Sequence, residues 1–531
     1  MLKKNGRLIW AVLAACSLAG CGHNSQTARV SASTQRGALA VDPPLRVASL
    51  TASAFSGELS ASATGKQLLQ LAGTPTCGVD FYYIKYWTVD PAGSPTEVSG
   101  AMMVPTGGTA QCSGPRPIVL YAHGTATSSQ YNIADITDPT NSAYSESAMI
   151  AAVFAAQGYI VVAPNYEGYD ISTGYHPYLE AAVNADDMED ALTAARAALP
   201  HTFTPQTTDD GKLFITGYSE GGYVAMATVK AMQAAGEPVT ASAPSSGPYA
   251  LEGLGDLIFF GQVDIGSTVF APLITTSYQN AYQNVYNQTT DVYSSTYATG
   301  IDTLLPSPES LTTLFSTGKL PEAALFDSTT PTSSTGVAQI DAGADALLAE
   351  PASPPYSASE AALFDAGFGN PYLINNTYRV QYVDDAVENP DEAAMTVIHG
   401  GALNSGDIAL AAAPTIGLRQ DFKLNDMRNG GWAPEEPMLM CGADQDPTVF
   451  FEIDTGTMAA EWSTQVQEGL VSVLDLDATP SGPFAPLQQG FQSTYDAMVS
   501  AEGASTAIQS FHGTEAPFCM VAARDFFAQV P

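Results

Sequence analysis

One serine stands in a local sequence that suits nucleophilic chemistry. Residues 217–222 read GYSEGG, follow the apolar run 212–216 and precede a helix-like stretch over residues 223–227. Glycines two positions before and two after the serine let a strand turn sharply into a helix, which exposes the hydroxyl. Because the chain has 46 glycines, the Gly-x-Ser-x-Gly pattern by itself is weak evidence for a nucleophile. The interpretation therefore depends on the strand predicted before the pattern and the helix predicted after it. Ser219 is the predicted nucleophile.

A serine nucleophile needs a histidine to take its proton and an acid to orient that histidine. The apolar run 437–441 ends at Gly442, and two aspartates, Asp444 and Asp446, follow directly. The Asp-x-x-Val arrangement after a strand-end glycine favours Asp446 as the acid. Asp444 is the alternative, and a turn that is merely rich in aspartate is the plain structural explanation.

The chain has only six histidines to supply the base. His512 follows residues 507–511, which are predicted as the last strand, and the chain order serine, acid, histidine fits it. His399 is the competing base because two aspartates lie upstream of it, but no strand precedes it. His176 comes before the serine and is expected only to line the site. His512 is therefore the predicted general base.

A fourth element follows the apolar run 117–122, where His123, Gly124 and Thr125 succeed one another. A strand followed by His-Gly places a backbone amide beside the nucleophile. The amides of Thr125 and Glu220 are the predicted oxyanion hole, and a simple glycine turn is the alternative.

These residues require a scaffold that brings several strand ends together. Residues 81–88 and 96–104 predict an antiparallel hairpin near the amino terminus. Beyond it, short apolar strands alternate with helices, which predicts an α/β fold with a mostly parallel sheet. The predicted strands are 117–122, 159–163, 212–216, 239–243, 437–441 and 507–511, and the longer predicted helices are 145–157, 179–199 and 221–235.

The interval from residue 249 to 435 interrupts this alternation with stretches rich in Gly, Pro, Ser, Thr and Tyr. We interpret it as an inserted, largely helical cap, because sheet-like segments resume after it. Residues 52–248 and 436–531 then form the catalytic domain. A separate second domain with its own function is the alternative.

The amino terminus indicates export. Three basic residues precede an apolar run over residues 8–18, which is too short to span a bilayer. The tetrapeptide LAGC, ending at Cys21, resembles a bacterial lipobox. It predicts a lipoprotein signal peptide over residues 1–20, a lipid anchor on Cys21, and a flexible tether over residues 21–51. The expected location is the membrane surface facing the periplasm or cell exterior, and an ordinary secretory signal is the alternative.

Four cysteines remain after those of the signal and the anchor: Cys77, Cys112, Cys441 and Cys519. An even number in an oxidising compartment predicts two disulfides. Three pairings are possible, and we favour the local ones, Cys77 with Cys112 and Cys441 with Cys519. Metal ligation is the alternative, but the cysteines lack C-x-x-C spacing.

The charge balance of 18 basic and 54 acidic residues gives a net charge of −36. Such acidity makes nucleic acid an unfavourable partner. No phosphate-binding, dinucleotide or zinc motif is present in the sequence, so we predict no cofactor and no metal. The acidic residues at 186–190 are expected to form a solvated helix face rather than a calcium site.

Taken together, residues 121–125, 164–168, 217–222, 243–248, 441–449 and 512–513 resemble the α/β-hydrolase superfamily, and within it secreted lipases and esterases with a large cap. The resemblance implies hydrolysis of a small-molecule or lipid ester through an acyl-enzyme. A serine peptidase of the same fold is the nearest alternative. A non-catalytic surface binding lipoprotein is less favoured, because no member of the triad is missing.

Overall fold

A computed structural model of the chain describes residues 29–30, 33–349 and 358–531. The predicted signal peptide over residues 1–20 and the predicted lipid anchor at Cys21 lie outside these ranges. Within them, no helix has both the length and the apolar character that crossing a membrane requires.

A nine-stranded sheet forms the centre of the protein, in the order β9-β8-β7-β6-β4-β5-β3-β2-β1. Strands β4 to β9 run parallel to one another, whereas β1, β2 and β3 are antiparallel to their neighbours. The strands are β1 Leu45–Leu50, β2 Gly78–Val89, β3 Pro95–Thr106, β4 Pro115–Ala122, β5 Ile160–Pro164, β6 Thr208–Tyr218, β7 Ala241–Ser245, β8 Met438–Gly442 and β9 Val471–Asp475.

Helices cover the sheet and fill the segment between β7 and β8. They are α1 Ala52–Leu59, α2 Ala63–Ala72, α3 Tyr144–Val153, α4 Ala181–Ala198, α5 Glu220–Ala235, α6 Leu251–Phe260, α7 Ser267–Tyr282, α8 Leu311–Ser316, α9 Ala338–Leu348, α10 Ala358–Ala366, α11 Asn376–Glu388, α12 Glu392–Ile398, α13 Gly417–Asn425, α14 Thr457–Trp462, α15 Ala485–Glu502, α16 Ala504–Ala507 and α17 Phe511–Phe527.

The fold class agrees with the prediction. Strands β5, β7 and β8 are buried along their whole length, as expected for parallel strands covered on both faces. The predicted hairpin is present as β2 and β3, which pair antiparallel along their full length. Helices α6 to α13 follow β7 and precede β8, where the cap is predicted.

The predicted tether is wrong in its last part. Strand β1 pairs antiparallel with β2, so residues 45–50 belong to the sheet. Just before it, the amide of Ala40 donates to the carbonyl of Lys85 at 2.8 Å, and Leu39 and Ala40 are buried. Backbone groups on the outer edge of β2 need hydrogen-bond partners. Strand β1 and the residues just before it provide those partners.

The predicted last strand over residues 507–511 is also wrong, because the chain there is helical in α16 and at the start of α17. Ala507 and Phe511 are buried, and their spacing of four places both on one helix face. The edge of the sheet beside β8 is instead formed by β9, a short run with two valines that sequence reasoning missed.

The acidic residues 186–190 do not form a fully solvated face. Asp187 and Asp190 are buried where α4 packs on β2, so that expectation is wrong for these two. The hydroxyl of Tyr86 donates to Asp187 at 2.7 Å, and Arg36 pairs with Asp190 at 3.0 Å. These contacts hold α4 on the sheet.

Buried ion pairs connect the cap helices. Arg419 of α13 lies 2.8 Å from Asp256 of α6 and 2.8 Å from Asp385 of α11. Arg428 lies 2.9 Å from Asp391, whose carboxylate also accepts a hydrogen bond at the amino end of α12. Breaking a buried pair leaves an uncompensated charge, so these contacts fix the helices relative to one another.

Both predicted disulfides are present, Cys77 with Cys112 and Cys441 with Cys519. The second joins strand β8 to helix α17. It therefore connects the two elements next to the predicted acid and base.

Candidate active site

The predicted site residues meet at the carboxyl edge of the parallel strands. Ala122 of β4 is level with Gly217 of β6, and Tyr218 of β6 is level with Ser245 of β7. Ser245 is in turn level with Cys441 of β8. The loops that follow these strands consequently emerge side by side.

Ser219 occupies a strained turn between β6 and α5. Its backbone has φ 62° and ψ −126°, a region that residues other than glycine rarely adopt. A Cβ atom on Gly217 would lie 2.2 Å from the Gly221 carbonyl oxygen, and one on Gly221 would lie 2.0 Å from the Ala122 carbonyl oxygen. Both glycines are therefore required by the close approach of backbone segments.

His512 and Asp446 form a hydrogen-bonded pair beside this turn, where the ring of His512 lies 4.8 Å from the ring of Tyr218, the residue before Ser219. Nδ1 of His512, in the first turn of α17, lies 2.6 Å from Oδ2 of Asp446. The second oxygen of Asp446 accepts the amide of Thr448 at 2.9 Å, which orients the carboxylate. The remaining ring nitrogen of His512 is buried and has no hydrogen-bond partner in the described parts of the chain, so it is free to take a proton.

Charge around His512 stabilises its protonated form. Burial lowers the pKa of the imidazole, but the charge and hydrogen bond of Asp446, together with Glu515, outweigh that effect and raise the pKa to about 10. The neutral ring, which a general base requires, is thus favoured at alkaline pH.

No hydrogen bond joins the Ser219 hydroxyl to His512 in the described structure. Such contacts between nucleophile and base are often long before substrate binds. The other predicted candidates lie elsewhere: Asp444 is exposed, and His399 is exposed at the end of α12, where Nδ1 contacts the Met395 carbonyl at 2.6 Å.

The loop after β4 approaches the serine closely. A Cβ atom on Gly124 would lie 3.7 Å from Cβ of Ser219. The amides of Thr125 and Glu220 make no hydrogen bond within the described residues, so both are available to a negatively charged oxygen. The arrangement suits the predicted oxyanion hole.

Glu146 of α3, which sequence reasoning missed, supports this loop. Its carboxylate accepts the amide of Gly124 at 3.1 Å and the hydroxyls of Tyr121 and Tyr131 at 2.7 and 2.8 Å. His123 stacks between Tyr131 and Tyr166, with ring centroids 4.3 and 4.0 Å away. Its ring therefore serves to pack the loop.

A second missed contact fixes Glu220. Its side chain lies 2.6 Å from Nε2 of His176, and both side chains are fully buried. Nδ1 of His176 contacts the Glu167 carbonyl at 2.9 Å. This pair ties the start of α5, and with it the Glu220 amide, to the loop after β5.

Part of the chain matches a known protein family. The model of the prolyl oligopeptidase family matches residues 145–246, a minor part of the chain that contains Ser219. No curated protein sequence matches the chain significantly.

The structure is similar to that of the rice cell wall degrading esterase LipA from Xanthomonas oryzae, with a TM-score of 0.64 and 24% identity over 93% of this chain and 100% of that one. A putative hydrolase from Legionella pneumophila gives a TM-score of 0.58 and 18% identity over 92% of this chain and 96% of that one. At such identities the likeness concerns the fold. The chain has the α/β-hydrolase fold.

Replacing His176 by alanine is expected to lower the free energy of unfolding by about 3–5 kcal/mol, because the buried Glu220 carboxyl loses its partner. Urea unfolding measures the loss. His201→Ala is the matched control, since its pair with Asp42 is exposed, with side chains 51% and 41% accessible, and should change stability little. Equal losses for the two variants would contradict the prediction.

Proposed function

We propose that the protein is a serine hydrolase that cleaves carboxylic esters through an acyl-enzyme on Ser219. The observation that carries the proposal is the 2.6 Å contact of His512 with Asp446 beside the Ser219 turn. These two residues are 66 positions apart in the chain. A turn that is merely rich in aspartate does not account for such a contact.

In the proposed mechanism the free nitrogen of His512 takes the proton of Ser219 as its oxygen attacks the ester carbonyl. Asp446 holds the imidazole and stabilises its protonated form. The amides of Thr125 and Glu220 stabilise the oxyanion of the tetrahedral intermediate. His512 then protonates the leaving alcohol, and water activated by the same histidine releases the acid.

An apolar cavity beside Ser219 supports an ester with a hydrophobic acyl group. It extends into the cap, and most of its wall comes from α6, α7 and α13. Burying each methylene group contributes about 0.8 kcal/mol, so such a wall favours acyl chains over polar groups. Its main apolar residues are Leu251, Leu254, Ile258, Phe259, Phe270, Ala271, Ile274, Leu418 and Phe422.

A serine peptidase is the second candidate, because the match to the prolyl oligopeptidase family includes Ser219. Among the described residues, the wall of this cavity carries no lysine or arginine that could bind the carboxyl terminus of a peptide. The esterase from Xanthomonas oryzae also shares the fold. Ester hydrolysis is therefore the preferred proposal.

Ser219→Ala is expected to lower kcat on p-nitrophenyl esters by about 10⁴-fold or more, because the nucleophile is removed. Initial rates on esters and on peptide p-nitroanilides measure the effect, in a form that starts after Cys21. Ser481→Ala, at an exposed serine, is the control and should keep full activity. Equal rates for both variants would exclude the mechanism, and faster cleavage of the anilides would favour the peptidase.

Ala271→Trp is expected to lower kcat/KM by about tenfold or more for long acyl chains and to spare acetate esters, because the indole fills the cavity. A series of p-nitrophenyl esters from acetate to palmitate measures the change. Ala281→Trp makes the same substitution on the same helix away from the cavity wall. A uniform loss over all chain lengths for Ala271→Trp would count against an acyl-binding role.

We further propose that Cys21 carries a lipid that anchors the protein to the membrane. The LAGC sequence supports this, and the two disulfides are typical of an oxidising compartment. Radiolabelled palmitate should label the protein, and Cys21→Ala should abolish the label while Cys16→Ala retains it. Labelling of Cys21→Ala would refute the anchor.

A further inference from the structure

Glu515 is a fully buried carboxyl group beside the proposed triad, to which the mechanism assigns no role. It lies three positions after His512 on α17, so both side chains share one helix face. Its Oε1 accepts the hydroxyls of Tyr218 at 2.5 Å and Ser246 at 2.7 Å. The same oxygen lies 3.4 Å from Nδ1 of His512.

Nδ1 of His512 thus faces two carboxyl groups and the hydroxyl of Tyr218, which lies 3.2 Å away. Asp446 approaches it at 2.6 Å from the loop after β8, and Glu515 at 3.4 Å from its own helix. One atom from each of the three side chains lies within 4.8 Å of the others. Two carboxyl groups at this separation interact strongly.

Burying a carboxyl group is costly unless a partner compensates. Within the described chain, His512 is the only group that forms an ion pair with Glu515. The hydroxyls of Tyr218 and Ser246 fix its position but carry no positive charge. The interaction that favours an ionised Glu515 is therefore the one with protonated His512.

We propose that Glu515 is a second acid partner of His512, a positioning residue that shares with Asp446 the stabilisation of the imidazolium and replaces it when Asp446 is lost. The proposal rests on the proposed function, since the imidazolium forms when Ser219 is deprotonated. The geometry requires only that Glu515 take over the hydrogen bond that Nδ1 now makes with Asp446.

Charges from several elements act on Glu515 and on His512. Burial and then the charge of Asp446 raise the pKa of Glu515 to about 8, while His512 lowers it. Tyr249, after β7, also faces Glu515, and Asp264, between α6 and α7, faces His512. Ionised Glu515 raises the pKa of His512, so removing its charge should lower that pKa.

The test on activity is a double-mutant cycle with Asp446→Ala and Glu515→Gln. Glu515→Gln alone should lower kcat on an ester by less than about tenfold, and Asp446→Ala alone by about 10²-fold. Removing both acids should lower kcat by about 10⁴-fold, the loss that follows when the acid of a triad is disabled. If the loss of kcat in the double variant equals only the product of the two single losses, the proposal is wrong. It is also wrong if Asp446→Ala alone shows the full loss of kcat.

Glu436→Gln is the matched control for the isosteric change. Glu436 is a buried carboxyl just before β8, at the end of that strand remote from Asp446. The Glu436→Gln substitution should leave kcat on the ester and the pH profile of kcat unchanged. Thermal unfolding of each variant confirms that it is folded before its rates are compared.

A second readout does not depend on turnover. In NMR titrations of the intact protein, the His512 ring should titrate at lower pH in Glu515→Gln than in the parent and in Glu436→Gln. An unchanged His512 titration would overturn the proposal. A parent that cleaves no ester while the His512 titration still shifts would reject the proposed function but keep the contact of Glu515 with His512.

Discussion

The site depends on a close approach of backbone segments at the turn that holds Ser219. Helix α5 begins so near the end of β4 that a Cβ atom on Gly221 would lie 2.0 Å from the Ala122 carbonyl oxygen. Only glycine fits there. The strained backbone of Ser219, the adjacent Gly124 and the position of the Glu220 amide all follow from this packing, because the loops after β4 and β6 lie close together at one edge of the sheet.

Buried and partly buried carboxyl groups then organise the surroundings of the serine. Glu146 holds the loop after β4, Glu220 binds His176, and Asp446 and Glu515 both face His512. A chain with 18 basic and 54 acidic residues has few cations to place beside them. Histidines, hydroxyls and backbone amides compensate most of these carboxyl groups, while Arg419 and Arg428 compensate carboxylates within the cap.

Much of this arrangement could be predicted from short motifs. The turn at Ser219, the hairpin and the two disulfides depend on local residue types and on the number of cysteines, so sequence reasoning placed them correctly. Residues 507–511 were misassigned because a short apolar run fits a strand and a helix equally well. Glu515 was missed for the same reason, since its place beside His512 follows only once that segment is known to be helical.

By itself the sequence determined which residues could supply nucleophile, acid and base. Ser219 and Asp446 follow apolar runs that form strands and end at one edge of the parallel sheet, and the chain order serine, acid, histidine selects His512 although helix rather than strand precedes it. Only the tertiary structure decided which aspartate contacts His512, because Asp444 and Asp446 are two positions apart and the direction of each side chain depends on packing. The tertiary structure also decided which carboxyl groups surround the base, because residues distant in the chain converge there and each is stabilised by partners that no local pattern specifies.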